Sequence, residues 1–162
     1  RLSRSASAGM FKGGLASGGE IETKYHTATH LLLAALRETL GSDIYQKGSN
    51  ITAERLRFDF NYPEKLTVDQ INTIERIVNE KIKNNIPVTL VEMAKEAALK
   101  TVKISFDPSK YGDSVKVYSI GTFSSELCGG PHVSYTGTLG KFHITKEESS
   151  SAGIRRIKAV LQ

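Results

Sequence analysis

The chain has 162 residues, 39% of them hydrophobic and 24% charged, with a net charge of +5; this is enough for one domain with a sizeable core and too short for two large ones. The longest apolar stretch, residues 31–36, falls far short of a membrane span, and no apolar segment follows the N-terminal arginines as a secretory signal requires. A single cysteine excludes an internal disulfide, so a reducing, cytosolic setting is expected, and the positive balance favours a polyanionic partner without demanding one.

Residues 1–20 are rich in Ser, Gly, Arg and Lys and show no apolar periodicity. They read as a leader belonging to a longer chain, with the domain proper at 21–162. Phe11-Lys12-Gly13-Gly14-Leu15 is either a docking segment or plain linker. A first helix is predicted over residues 24–40, with Thr23 as N-cap and Gly41 as its stop. Its apolar residues cover nearly the whole circumference, the mark of a buried helix. Residues 46–49 (Gln46-Lys47-Gly48-Ser49) read as a polar turn. Leu56-Arg57-Phe58-Asp59-Phe60 alternates apolar and polar, as a half-buried strand does.

Thr67-Val68-Asp69-Gln70 is a capping-box signature that opens a helix to about residue 84, with Val68, Ile71, Ile74, Ile77, Val78 and Ile82 on its core-facing stripe. A strand at 88–91, a short helix at 92–100 and an irregular loop at 101–114 follow. Strands are predicted at 115–120, 141–145 and 154–160. Ser149-Ser150-Ser151 lacks the Gly-x-Ser-x-Gly frame of a hydrolase nucleophile and reads as a polar turn. His143 alternates with Phe142 and Ile144 and should face solvent. Strands and helices mix without a regular βαβ alternation, so the fold class is α+β, a mixed or antiparallel sheet packed with helices.

The chemistry concentrates in two short motifs, His26-Thr27-Ala28-Thr29-His30 and Cys128-Gly129-Gly130-Pro131-His132. Four residues along a helix return to nearly the same face, so His26 and His30 can aim at one point. The second motif adds a thiolate and a third imidazole, with glycines between them that let the backbone fold both inward. His26, His30, Cys128 and His132 together are a ligand set that zinc prefers. The glutamate of His-Glu-x-x-His is missing, which excludes the metalloprotease reading.

Several segments together resemble the editing domain of alanyl-tRNA synthetase and its free-standing relatives. They are residues 25–32, 46–49, 56–60, Cys128-Gly129-Gly130-Pro131-His132-Val133, Thr136-Gly137 and Ala152-Gly153-Ile154-Arg155-Arg156-Ile157, in the family's order. The resemblance runs from about Phe11 to the end and implies the fold of the threonyl/alanyl-tRNA synthetase second additional domain. It also implies an activity: zinc-dependent hydrolysis of serine or glycine from the tRNA specific for alanine, by part of an alanine--tRNA ligase. A pocket built for alanine cannot exclude glycine by size, nor strongly reject serine, so a second hydrolytic site is one solution.

On this resemblance His26, His30, Cys128 and His132 correspond to zinc ligands, and Thr29, Gln46 and Ser49 to residues lining the editing pocket. With Cys128 these three make up the expected catalytic group. Four protein ligands normally close a zinc site, whereas a catalytic site keeps a position open; a loose ligand, an expanded coordination shell or a purely organising ion would each resolve this. Arg155 and Arg156, then Lys12 and Lys141, are the expected tRNA contacts, since guanidinium forks suit phosphate. The alanine branch usually carries Thr where this chain has Pro131, as the threonyl-tRNA synthetase domain does not. That departure leaves open a deacylase acting on seryl-tRNA of the threonine type. A non-catalytic, zinc-stapled RNA-binding module is the rival from another class. Residues 104–109 also depart from the family's usual run.

Overall fold

The computed structural model describes residues 19–101, 113–127 and 131–162. In chain order the elements are α1 (Glu20–Leu40), β1 (Gln46–Ile51), β2 (Leu56–Asn61), α2 (Val68–Lys83), β3 (Val88–Ala94), α3 (Lys95–Thr101), β4 (Ser114–Ile120), β5 (Ser124–Leu127), a 3-10 turn (Thr136–Leu139), β6 (Phe142–Ser151) and β7 (Ile154–Leu161). The strands form two sheets, of order β1-β2-β7-β6 and β3-β4-β5. Every strand pairing described is antiparallel, so the fold is α+β as expected.

The alternation in β2 decides which side of the larger sheet is dry. Leu56, Phe58 and Phe60 are fully buried and join Phe142, Ile144, Ile157 and Ala159 in one core against α1 and α2. On the opposite side Asp59 is held by both Arg156 and Arg57, which is why a carboxylate tolerates 6% exposure there. The α1 helix contributes Tyr25, Ala28, Leu31, Leu32, Leu33, Ala35 and Leu36 to the same core. The Tyr25 hydroxyl donates to the Glu54 carbonyl and accepts from the Leu161 N–H, tying the helix start to β7. The capping box forms as expected, with Thr67 and Gln70 satisfying each other's backbone N–H. From α2, Asn79 exchanges two hydrogen bonds of 2.8 Å with the Phe142 backbone, and Glu75 accepts from the Ile144 N–H. Side chains of α2 thus occupy backbone groups of edge strand β6, which blunts that edge.

Several local expectations are corrected. The first helix starts at Glu20, inside the expected leader, with Gly19 as N-cap; the Thr23 hydroxyl instead donates to the Gly19 carbonyl. Gln46-Lys47-Gly48-Ser49 is not a turn but the start of β1, with a bulge between Gln46 and Gly48. Gly48 sits so close to Asp59 that a Cβ would lie 3.2 Å from Oδ2, so glycine marks a crowded strand position rather than a chain reversal. Val68, expected on the core-facing stripe, is 73% exposed, and the buried residues of α2 begin only at Ile74. Residues 92–94 extend β3 rather than opening the short helix. Ser149, Ser150 and Ser151 continue β6, and the reversal falls at residues 152–153. His143 does face outward, paired with Glu75 at 3.2 Å. Most of the loop expected at 101–114 lies outside the described residues, as do residues 1–18 of the expected leader, Lys12 among them.

A three-imidazole candidate metal centre

One helical turn of α1 presents His26 and His30 on a shared face, and their rings lie 5.5 Å apart between centroids. The third ring arrives from the segment after β5. His132 stacks on His26 at 4.4 Å with a 15° interplanar angle, and meets His30 edge-on at 4.6 Å. One potential ligand atom from each of His26, His30 and His132 lies within 4.8 Å of the others. Tetrahedral zinc with Zn–N bonds of about 2.0–2.1 Å sets such nitrogens about 3.3 Å from each other. Small ring rotations close that gap, so the donor set fits the ion.

The hydrogen bonds around the rings strengthen the fit. The Nδ1 of His26 lies 2.9 Å from the Pro131 carbonyl, and the Nδ1 of His132 lies 3.0 Å from the Thr27 hydroxyl. The Nε2 of His132 is buried without a hydrogen-bond partner among the described residues. An orphaned buried imidazole nitrogen is expected where an ion belongs. Burial holds all three imidazoles below their ordinary pKa. His30 falls to about 3, through desolvation and then the charge of His26, while His132 and His26 are also lowered, again chiefly by desolvation. The rings are neutral at physiological pH, the state in which imidazole binds metals.

The segment carrying His132 is anchored from two sides. Thr136 Oγ1 donates to the Lys81 carbonyl and accepts from the Ile86 N–H, while the Gly137 N–H donates to Asn85. The Thr136-Gly137 pair therefore pins the strand-free segment to the end of α2. The Val133 N–H donates to Thr27 Oγ1 on α1. Tyr118 on β4 packs its ring 4.1 Å from that of His132.

The remaining expected site residues are dispersed. Thr29 is buried one residue before His30, and its hydroxyl donates to the His26 carbonyl at 2.6 Å; only its lone pairs remain for another group. Gln46 and Ser49 lie on β1, an outer strand of the larger sheet, and Ser49 Oγ is buried without a hydrogen-bond partner among the described residues. Cys128 lies outside the described residues, in the segment after β5. Arg155 donates to Glu147 at 2.6 Å, and Arg156 forks onto both oxygens of Asp59 at 2.9 and 3.1 Å. Both guanidinium groups thus already hold a carboxylate. Lys141 is exposed. Two neighbours of the triad escaped the sequence reading. Thr27 looked like a spacer between ligands, and Tyr118 carried only the signal of an aromatic in a strand.

A family model described as Threonyl and Alanyl tRNA synthetase second additional domain matches residues 115–158. The chain is 58% identical to an alanine--tRNA ligase of Treponema denticola over 161 residues, which is 99% of this chain and 27% of that relative. It is 54% identical to that of Treponema pallidum over 153 residues, 94% of this chain and 25% of the relative. It is 55% identical to that of Borreliella burgdorferi over 152 residues, 94% of this chain and 26% of the relative. The chain thus spans about a quarter of the length of the curated relatives it matches. No helix among the described residues is long and apolar enough to cross a membrane. The chain is similar over nearly its whole length to one stretch of the alanine--tRNA ligases, and its residues 115–158 match the second additional domain of threonyl and alanyl tRNA synthetases.

Proposed function

We propose that this chain hydrolyses the ester joining serine or glycine to the tRNA specific for alanine, in the cytoplasm, as the editing part of an alanine--tRNA ligase. The observation that carries this reading is the convergence of three imidazoles, one buried and two half-buried, from segments about a hundred residues apart. A zinc ion held by His26, His30, His132 and Cys128 would supply Lewis acidity toward the ester carbonyl.

The chain's own residues then do the sorting. Thr29, with its proton committed to the helix, presents lone pairs beside the triad. Gln46 offers both donors and an acceptor, and the Ser49 hydroxyl, buried and unpartnered among the described residues, keeps its hydrogen-bonding capacity for a group that enters beside it. Lys141 is open to backbone phosphate, and Lys12 joins it on the sequence argument. Arg155 and Arg156 already hold Glu147 and Asp59, so phosphate would meet the guanidinium N–H groups those carboxylates do not engage. Affinity for tRNA should therefore fall steeply with salt if these cations act.

The test follows ester loss from seryl-tRNA and glycyl-tRNA of the alanine type, correctly charged alanyl-tRNA, and seryl-tRNA of the threonine type. Selective loss of the first two supports the proposal. Preference for the last would transfer the activity to the threonine substrate, whose editing domain this chain resembles at Pro131. Survival of all four esters would leave a zinc-stapled RNA-binding module.

A further inference from the structure

We infer that Thr27, on the metal-site helix but not itself a ligand, is the positioning residue that fixes the tautomer and orientation of His132, as one half of a reciprocal latch that assembles the site before the ion arrives. This rests on the metal-centre reading above. A threonine hydroxyl has one hydrogen to give and two lone pairs to receive with. Thr27 Oγ1 has three partners: the Thr23 carbonyl at 3.3 Å, the Val133 N–H at 3.1 Å and His132 Nδ1 at 3.0 Å. The carbonyl can only accept, so it takes the hydroxyl proton. The Val133 N–H can only donate, so it takes one lone pair. The remaining lone pair faces His132, whose Nδ1 must then carry the proton. All three bonds are satisfied in this arrangement alone, and it leaves Nε2 of His132 bare, the atom found buried without a partner.

The other half of the latch is unambiguous. The Pro131 carbonyl only accepts, so His26 Nδ1 carries a proton and gives it to that carbonyl at 2.9 Å, leaving the lone pair on Nε2. The helix thus steadies the loop's imidazole through Thr27, and the loop steadies the helix's imidazole through Pro131. Both bonds join residues 105 positions apart. Thr27 is fully buried, so water cannot substitute for it. Because Pro131 acts through its carbonyl, the latch makes no demand on the side chain there.

Two measurements on the 162-residue chain test this. The first is the 15N chemical shifts of His26 and His132 in metal-free protein near pH 7.5. Protonation at Nδ1 in both rings is expected, and protonation of His132 at Nε2 would overturn the assignment. The second is zinc affinity by competition with a chromophoric chelator. Thr27→Val should weaken zinc binding about 10- to 100-fold, the usual effect of losing a group that orients a ligand. Thr27→Ser, which keeps the hydroxyl, should restore it. Equal zinc affinity in Thr27→Val and the unsubstituted chain would sink the latch while leaving the metal centre intact. Failure of the unsubstituted chain to bind zinc would defeat the functional reading, and the nitrogen shifts would still decide the latch. Those shifts also stand if Thr27→Val does not fold.

Discussion

The two sheets are both antiparallel, but they are supported to different depths. The four-stranded sheet lays Leu56, Phe58, Phe60, Phe142 and Ile157, all fully buried, against two helices. The three-stranded sheet has a small core of its own, Ala98, Val115 and Val117 with Met93 packed beside it, and leaves Leu90 and Val91 about half exposed on β3. It is held to the larger body by Ile120, which joins the main core, and by Glu126, whose carboxylate meets Arg37 of α1 at 2.8 Å. Each body supplies part of the candidate metal centre: the deep one contributes His26 and His30 on a packed helix, and the shallow one leads the chain toward His132. Fewer buried apolar contacts give the smaller sheet less local stability than the larger one.

Substitutions can weigh these halves against each other. The largest effect is expected from Phe58→Ala, which should destabilise the fold by about 3–5 kcal/mol through transfer and cavity terms. Its melting temperature should drop by roughly 6–20 °C, with both sheets melting together in a single calorimetric transition. Arg37→Met should follow at about 3 kcal/mol, because it strands a buried carboxylate at Glu126, whose pKa burial already raises against the opposing pull of Arg37. Since that ion pair spans the two bodies, zinc affinity should fall along with denaturant stability. A smaller loss in Glu126→Gln would separate the stranded charge from the lost contact.

The imidazole cluster predicts a pH effect of intermediate size. Its folded pKa values lie below the unfolded value of 6.5, to about 3 for His30. The unfolded chain therefore binds more protons in that interval, and stability falls as pH drops from 6.5 toward 3. Metal-free protein should lose several degrees of melting temperature between about pH 7.5 and pH 5. A His30→Gln variant should lose less over the same range, and an equal loss would remove the triad as its source. The smallest effect belongs to Val117→Ala in the shallow core, about 1–2 kcal/mol. Zinc affinity should respond to it out of proportion to stability; an unchanged affinity would show that the smaller sheet does not help place His132.

What could be seen in the chain alone was whatever depends on near neighbours. The capping box at Thr67 and Gln70, the alternation of Leu56, Phe58 and Phe60 and the four-residue spacing of His26 and His30 are set within one or two turns of backbone. The two ligand-rich motifs also pointed to a common centre, because histidines so spaced have few other uses together. Local pattern failed where the deciding partner lay far along the chain. Gly48 passed for a turn residue because its reason, the carboxylate of Asp59, appears only once β1 pairs with β2. Arg155 and Arg156 looked free for phosphate until folding set Glu147 and Asp59 beside them. Thr27 looked idle because its chief partners, His132 and Val133, lie more than a hundred residues away. Residue types and short-range spacing marked the candidate histidines, while chain crossings set Pro131 beside Nδ1 of His26 and Thr27 beside Nδ1 of His132, at 2.9 and 3.0 Å.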